Sequence, residues 1–258
     1  MPSPIPYEPS DLVVSYKERI VAYIDILNIR NISNCSEKVS IIVNLVRDAI
    51  FEQEEILGLH DSCYLQVSFI SDSIVISVDA PSSADNRQIR NILKFAGGFG
   101  LSLLALGFPC RGSMVTGQIF HYRDRDVHFD TVVGPALVNA VKLEESIARY
   151  PRIIVDTPVY NLWEKFLVAE TDEQDSWREV LKRDTKDNQW FINIFHEKIV
   201  RDVNTFFLYK ILSQKKDFDI IKEVGKCINN GLTLTNVTDV QEKYEWLQNQ
   251  YRPYSPLL

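Results

Sequence analysis

Residues 64–78, YLQVSFISDSIVISV, read as two apolar strands folded back on each other at Ser71-Asp72-Ser73. Upstream, residues 20–27, IVAYIDIL, form a short run rich in β-formers, consistent with a buried strand interrupted by one acid, Asp25. Between them, Ser36 to Ile56 places Ile42, Leu45, Val46, Ala49 and Ile50 at helical spacing, with Ser36 as N-cap. Downstream, Gln88 to Leu106 is apolar at helical spacing, with Gly97, Gly98 and Gly100 as irregularities, and Cys110 to Phe120 is a strand candidate. Pro135 to Arg149 predicts an amphipathic helix, with Leu137, Ala140, Val141, Glu144 and Ile147 spaced by three and four, and Ile153 to Val155 a short strand. The order β-α-β-β-α-β predicts an α+β fold, a ferredoxin-like sheet with helices on one face. One more strand lies within Asp184 to Ile194, and His196 to Tyr209, Asp217 to Ile228 and Val240 to Gln250 predict a helical C-terminal extension. The reading divides into a leader (1–19), a core (20–195) and an extension (196–258) packed on the core, with no linker between the last two.

The 258 residues are 45% hydrophobic and 24% charged, a globular composition, and the formal net charge is -7. That acidic balance argues against sequence-independent binding to a nucleic-acid backbone. It leaves room for a small phosphorylated ligand, whose charge a metal ion can offset. The four cysteines, Cys35, Cys63, Cys110 and Cys227, make no C-x-x-C pair and read as neither a disulfide framework nor a zinc site. The proline-bearing N-terminal stretch has no apolar secretory core, and the longest uncharged stretch, Phe95 to Cys110, is shorter than the roughly 20 residues a span needs. A soluble, cytoplasmic protein with no membrane partner is expected.

Asp25 and Asp72 carry the chemistry. An acid inside an apolar strand costs several kcal/mol unless paired. Singly, a hairpin Asp is most often a turn residue and a strand Asp a fraying edge. In a ferredoxin-like sheet, however, the first strand and this hairpin bring both carboxylates together, and a divalent cation relieves their repulsion. Two aspartates plus phosphate oxygens suit Mg²⁺ or Mn²⁺.

At these residues the sequence resembles a family. AYIDILNI around Asp25 and FISDS around Asp72 are similar to the metal-site strand and hairpin of class III nucleotidyl cyclases. RGSMVTG, Arg111 to Gly117, keeps that family's Arg-to-Gly spacing, and VVGPALVNAVKLEESIARYPRIIVD, Val132 to Asp156, with WFINIF near Trp190, resembles the pyrimidine cyclases of bacterial Pycsar anti-phage defence. The resemblance implies two Mg²⁺ or Mn²⁺ ions per active site, held by Asp25, Asp72 and the backbone carbonyl of Ile26, with Arg111 facing the triphosphate. It places Ser68 and Thr131 at the two base-reading positions, where neither the Lys/Asp pair that suits adenine nor the Glu/Cys pair that suits guanine is present. Small hydroxyls fit a pyrimidine edge without separating uracil from cytosine. UTP, giving 3′,5′-cyclic UMP and pyrophosphate, is the expectation on family frequency, and CTP the alternative.

On the helix that follows, Val138 stands where the family has Asn, and Lys142 where it has the transition-state Arg. Asn139 is one residue late, a turn of about 100°. Lys142 would act on the α-phosphate as a point cation. The resemblance further implies a twofold homodimer with active sites across the interface, and a downstream effector that binds the cyclic product.

Two other readings stay open. One is a non-catalytic nucleotide-binding sensor on the same fold, with Val138 and Lys142 as marks of lost catalysis. The other is a metal-dependent hydrolase built on HYRDRDVHFD, where strand alternation would line up Asp124, Asp126, His128 and Asp130. That segment lacks fixed ligand spacing and reads more simply as an exposed charged hairpin.

Overall fold

The computed structural model describes residues 14–27, 35–56, 65–81, 87–124, 129–168, 177–203, 219–234 and 237–255. The predicted elements lie close to their expected places: β1 (Lys17–Ile26), α1 (Ser36–Ile56), β2 (Gln66–Ile70), β3 (Ser73–Asp79), α2 (Arg87–Ala105), β4 (Cys110–Asp124), then β5 (Phe129–Val133), α3 (Pro135–Ile147) and β6 (Ile153–Val155), except that β4 continues past Phe120 and β5 begins within the segment read as polar and charged. Then come α4 (Thr157–Val168), β7 (Leu181–Arg183), β8 (Trp190–Ile192), α5 (Glu197–Asp202), α6 (Ile220–Leu234) and α7 (Thr238–Tyr251). Strand β1 begins at Lys17, inside the stretch read as leader. The part of the expected helix beyond Val203, from 204 to 209, lies outside the described residues.

The sheet runs β2-β3-β1-β4-β6-β8-β7, with β5 paired to β4 off this path. Strand β1 is antiparallel to both β3 and β4, between which it lies. The order β2-β3-β1-β4 is that of two interleaved split β-α-β units, the ferredoxin-like arrangement the element order predicts. Strand β6 adds in parallel to β4, and the β7-β8 hairpin extends the edge antiparallel.

The two helices of the β-α-β-β-α-β unit, α1 and α2, pack on one face as expected, and the helix that follows the unit, α3, does not join them. Ile20, Ala22, Ile24 and Ile26 of β1 enter the main core with residues from α1, α2, α4, α6 and α7. Helix α3 lies on the other face, over a separate small cluster of Val21, Val75, Val115, Ile119, Ala136 and Ala140. The cause is local. Small residues let the helix approach, and a Cβ at Gly117 would already stand 3.3 Å from that of Ala136. Gly134, at φ 151°, makes the turn into α3 and has no room for a Cβ, which would meet the Gln118 carbonyl oxygen at 2.8 Å.

Among the described residues Cys35, Cys110 and Cys227 are free thiols, and no helix is long and apolar enough to cross a membrane.

Candidate active site

Alternation along β1 sends Val21, Tyr23 and Asp25 to the α3 side of the sheet. In register, Asp25 stands opposite Ser73 of β3 and Arg111 of β4. The β2-β3 turn is closed by Ser71, at φ 60°, and Asp72. The Ile26 amide donates to the Asp72 carbonyl oxygen at 3.0 Å and the Leu27 amide to that of Pro109 at 2.9 Å. The first bond ties the hairpin tip to the end of β1, which sets the two acids beside each other, and the second ties β1 to the entry of β4. Burial raises the Asp25 pKa, Arg111 opposes the shift, and the Asp72 charge adds to it.

A third acid completes the cluster. Glu144 of α3 is 2% exposed and ion-paired with Arg111, whose Nε also lies 3.5 Å from Asp25 Oδ2. Burial pushes the Glu144 carboxyl up to about 7, against the pull of Arg111 and helped by Asp25. Tyr23 hydrogen-bonds Ser73 across 2.7 Å and borders the same acids. Ionised, the three carboxylates outnumber the one guanidinium, and that surplus favours a bound cation. Among the described residues no group of three His, Cys, Asp or Glu side chains could hold a metal by itself. Two hard carboxylates without a third side-chain ligand fit Mg²⁺ or Mn²⁺ that arrives with phosphate oxygens and water.

The other expected site residues are placed differently from one another. Lys142, Val138 and Asn139 are exposed on α3, opposite the buried stripe Ala136-Ala140-Glu144, so Lys142 points away from its own chain's Asp25. Ser68 is buried on the same sheet face as Asp25, and its hydroxyl is occupied: it donates to Asp130 Oδ1 at 2.6 Å and contacts His121 Nε2 at 2.8 Å. Its partner on β5 is thus Asp130 rather than Thr131, which alternation turns to the other side. His121, read as part of an exposed hairpin, is 6% exposed. Asp126 and His128 lie outside the described residues.

Sequence reasoning did not single out Glu144 and His121, and named Asp130 only in the hydrolase reading. Glu144 had a signal: an acid at a core-facing position of an amphipathic helix, the same anomaly that marked Asp25. His121 and Asp130 had none beyond belonging to a charged segment.

No protein-family model and no curated protein matches the chain. Several solved structures align with the chain at low identity, those named here each with a TM-score below 0.5. One is the adenylyl cyclase CyaB from P. aeruginosa, at 12% identity and TM-score 0.46 over 70% of this chain and 95% of that one. Another is the monomeric guanylyl cyclase domain of the RhoGC fusion protein from the aquatic fungus Blastocladiella emersonii, at 14% identity and TM-score 0.43 over 69% and 95%. A third is a class III adenylyl cyclase-like ATP-binding protein from Pseudomonas aeruginosa, at 12% identity and TM-score 0.43, which matches 91% of this chain but 44% of its own. The chain is a mixed α/β core with a helical C-terminal extension.

Proposed function

We propose that this chain is a metal-dependent nucleotidyl cyclase that converts a pyrimidine nucleoside triphosphate, UTP or CTP, into its 3′,5′-cyclic monophosphate and pyrophosphate. The observation that carries the reading is the seating of Asp25 beside Asp72, with the hairpin tip bonded to the end of β1. A bound pair of Mg²⁺ or Mn²⁺ ions supplies Lewis acidity toward the ribose 3′-hydroxyl and offsets phosphate charge. Asp25, Asp72 and the Ile26 carbonyl hold those ions. Arg111, fixed at Nε by Glu144, presents its remaining N–H groups to phosphate oxygens. Lys142 faces away from these acids, which supports a homodimer in which it serves the partner's site. The cyclic product is then a messenger for an effector, in the manner of anti-phage defence.

A nucleotide sensor without turnover is the second reading, favoured by one observation: Arg111 is already engaged between two acids. The two separate in one assay. Purified protein is incubated with Mn²⁺ and each of UTP, CTP, ATP and GTP, and products are resolved by mass. A pyrimidine cyclic monophosphate with pyrophosphate is expected, reduced roughly 100-fold or more in Asp25→Asn or Asp72→Asn. Undiminished product in either variant removes the two-carboxylate mechanism, and nucleotide bound without pyrophosphate release leaves the sensor.

A further inference from the structure

The connection from α3 to β6, residues 148–152, is gripped by the C-terminal helix α7. Arg149 is ion-paired with Glu242 at 2.8 Å, and both side chains are exposed. Tyr150 stacks on Trp246, the rings 5.5 Å apart and inclined by 9°. The Arg152 guanidinium lies 5.7 Å from the centre of the same indole, and Asp184 is bonded to both. Helix α7 is itself anchored: Trp246 and Leu247 belong to the main core, and the Tyr251 hydroxyl donates to the Ile221 carbonyl oxygen at 3.1 Å.

The same connection is fastened to the candidate site at both ends. Upstream, the Ala148 amide donates to the Glu144 carbonyl oxygen at 2.9 Å, closing the last turn of α3, and the Glu144 side chain holds Arg111. Downstream, the Gly112 amide donates to the Arg152 carbonyl oxygen at 3.0 Å, one residue past Arg111. Arg111 is thus fixed through its side chain by one end of the connection and through its backbone neighbour by the other. A close-packed segment passes a displacement on rather than absorbing it. The first turn of α7 is also near enough for its charge to be felt. Lys243 holds the Asp239 carboxyl below its usual range, and Arg149 and Arg111 add to that pull.

We infer, on the triphosphate-binding reading above, that α7 positions Arg111 for the triphosphate, acting through Arg149, Tyr150 and Arg152 on the Glu144–Arg111 pair. Glu242 and Trp246 are positioning residues, since each acts through the α3–β6 connection rather than on a ligand. The C-terminal extension thereby sets the affinity of the site as well as covering the core. The coupling is reciprocal: a triphosphate drawn to Arg111 tightens the hold of α7 on this connection.

The test compares wild type, Glu242→Arg, Arg149→Glu and the double variant. Each is titrated by calorimetry with the Mn²⁺ complexes of α,β-methylene UTP, CTP, ATP and GTP, which bind without turnover, and each is melted thermally. Both changes fall on exposed side chains, so all four proteins are expected to fold. Positioning predicts that each single variant weakens binding by about threefold, the scale of an exposed ion pair turned into a repulsion. The exchanged pair of the double variant should recover it. Long-range attraction alone predicts a different pattern. Glu242→Arg then adds positive charge beside the site and tightens binding, and only Arg149→Glu loosens it. Opposite shifts in the two single variants, a double variant that stays weak, or an affinity unmoved in all four proteins, whether or not the melt falls, overturns the inference. In each of those cases the triphosphate is still bound and the functional reading stands. A wild type that binds none of the four analogues removes both.

Discussion

A carboxyl group held away from water keeps its proton longer than one in solution, and Asp156 is such a group. It sits between β6 and α4, accepts the Val159 amide at 2.9 Å, and is also bonded by the Thr116 backbone. Burial outweighs both donors and raises its pKa to about 6 from 3.8. The folded chain therefore binds this proton more tightly than the unfolded chain. Its contribution to stability is fully present below about pH 4 and is lost as pH rises through about 6. Asp156→Asn keeps an acceptor for Val159 and removes the titration. Urea unfolding at about pH 4 and about pH 7.5 should show a smaller loss of stability with rising pH in the variant, by up to about 3 kcal/mol. An identical pH dependence in both proteins would mean that Asp156 titrates normally. At this scale the sequence was partly legible. Asp25 and Asp72 stood out because an acid interrupting an apolar pattern needs a physical reason. Glu144 offered the same anomaly on a helix. His121 could not be singled out, because its partners, Ser68 and Ser77, come from strands far away in sequence and are unremarkable there.

Elements were read best where one periodicity persisted. Helices α1, α2 and α3 and strand β6 lie within a few residues of their predicted bounds. Helix α4 was not read. Its sequence, TPVYNLWEKFLV, is rich in β-branched and aromatic residues of low helix propensity, and burial of Val159, Trp163 and Phe166 on one stripe imposes the helix. Strand β7 is as short as β6 but reads LKR, basic at two of its three positions, so no apolar run marks it. Strands β1 and β4 approach closely at Gly112. A Cβ at that position would stand 2.3 Å from the Tyr23 carbonyl oxygen, so β4 can lie against β1 only without a side chain there. The strain would fall one residue from Arg111, at the level where Arg111 faces Asp25. Gly112→Ala is expected to lose roughly 1–3 kcal/mol of stability and to separate Arg111 from Asp25. Thermal unfolding measures the first effect and weakened Mn²⁺-nucleotide binding the second. An unchanged melt with unchanged binding would mean that the two strands can part without consequence.

At the scale of the molecule the question is whether the C-terminal helices are an appendage or part of the core. Ile220, Val224 and Ile228 of α6, and Trp246 and Leu247 of α7, all belong to the main core cluster beneath the sheet. A second tie is polar. Arg152, 3% exposed, pairs with Asp184 and Asp187 and lies 5.4 Å from the ring centre of Tyr150, 5.8 Å from Phe191 and 5.7 Å from Trp246. Trp246 Nε1 donates to the same Asp184 at 2.8 Å, so one carboxylate joins the β6 entry, the β7-β8 hairpin and α7. Burying those five apolar side chains is worth roughly 10 kcal/mol, which is comparable to the whole 5–15 kcal/mol stability of an ordinary domain. Removing them also leaves the Arg152–Asp184 pair open to water on one side. A chain ending after Phe195 should therefore be insoluble, or should lack a cooperative thermal transition and bind a hydrophobic dye, although every acid of the candidate site is still present. The full-length protein should melt in one transition that includes the Trp246 fluorescence change. If the shortened chain instead melts cooperatively within a few degrees of full length, the apolar contacts of α6 and α7 contribute little, and the sheet with its nearer helices is a domain in its own right.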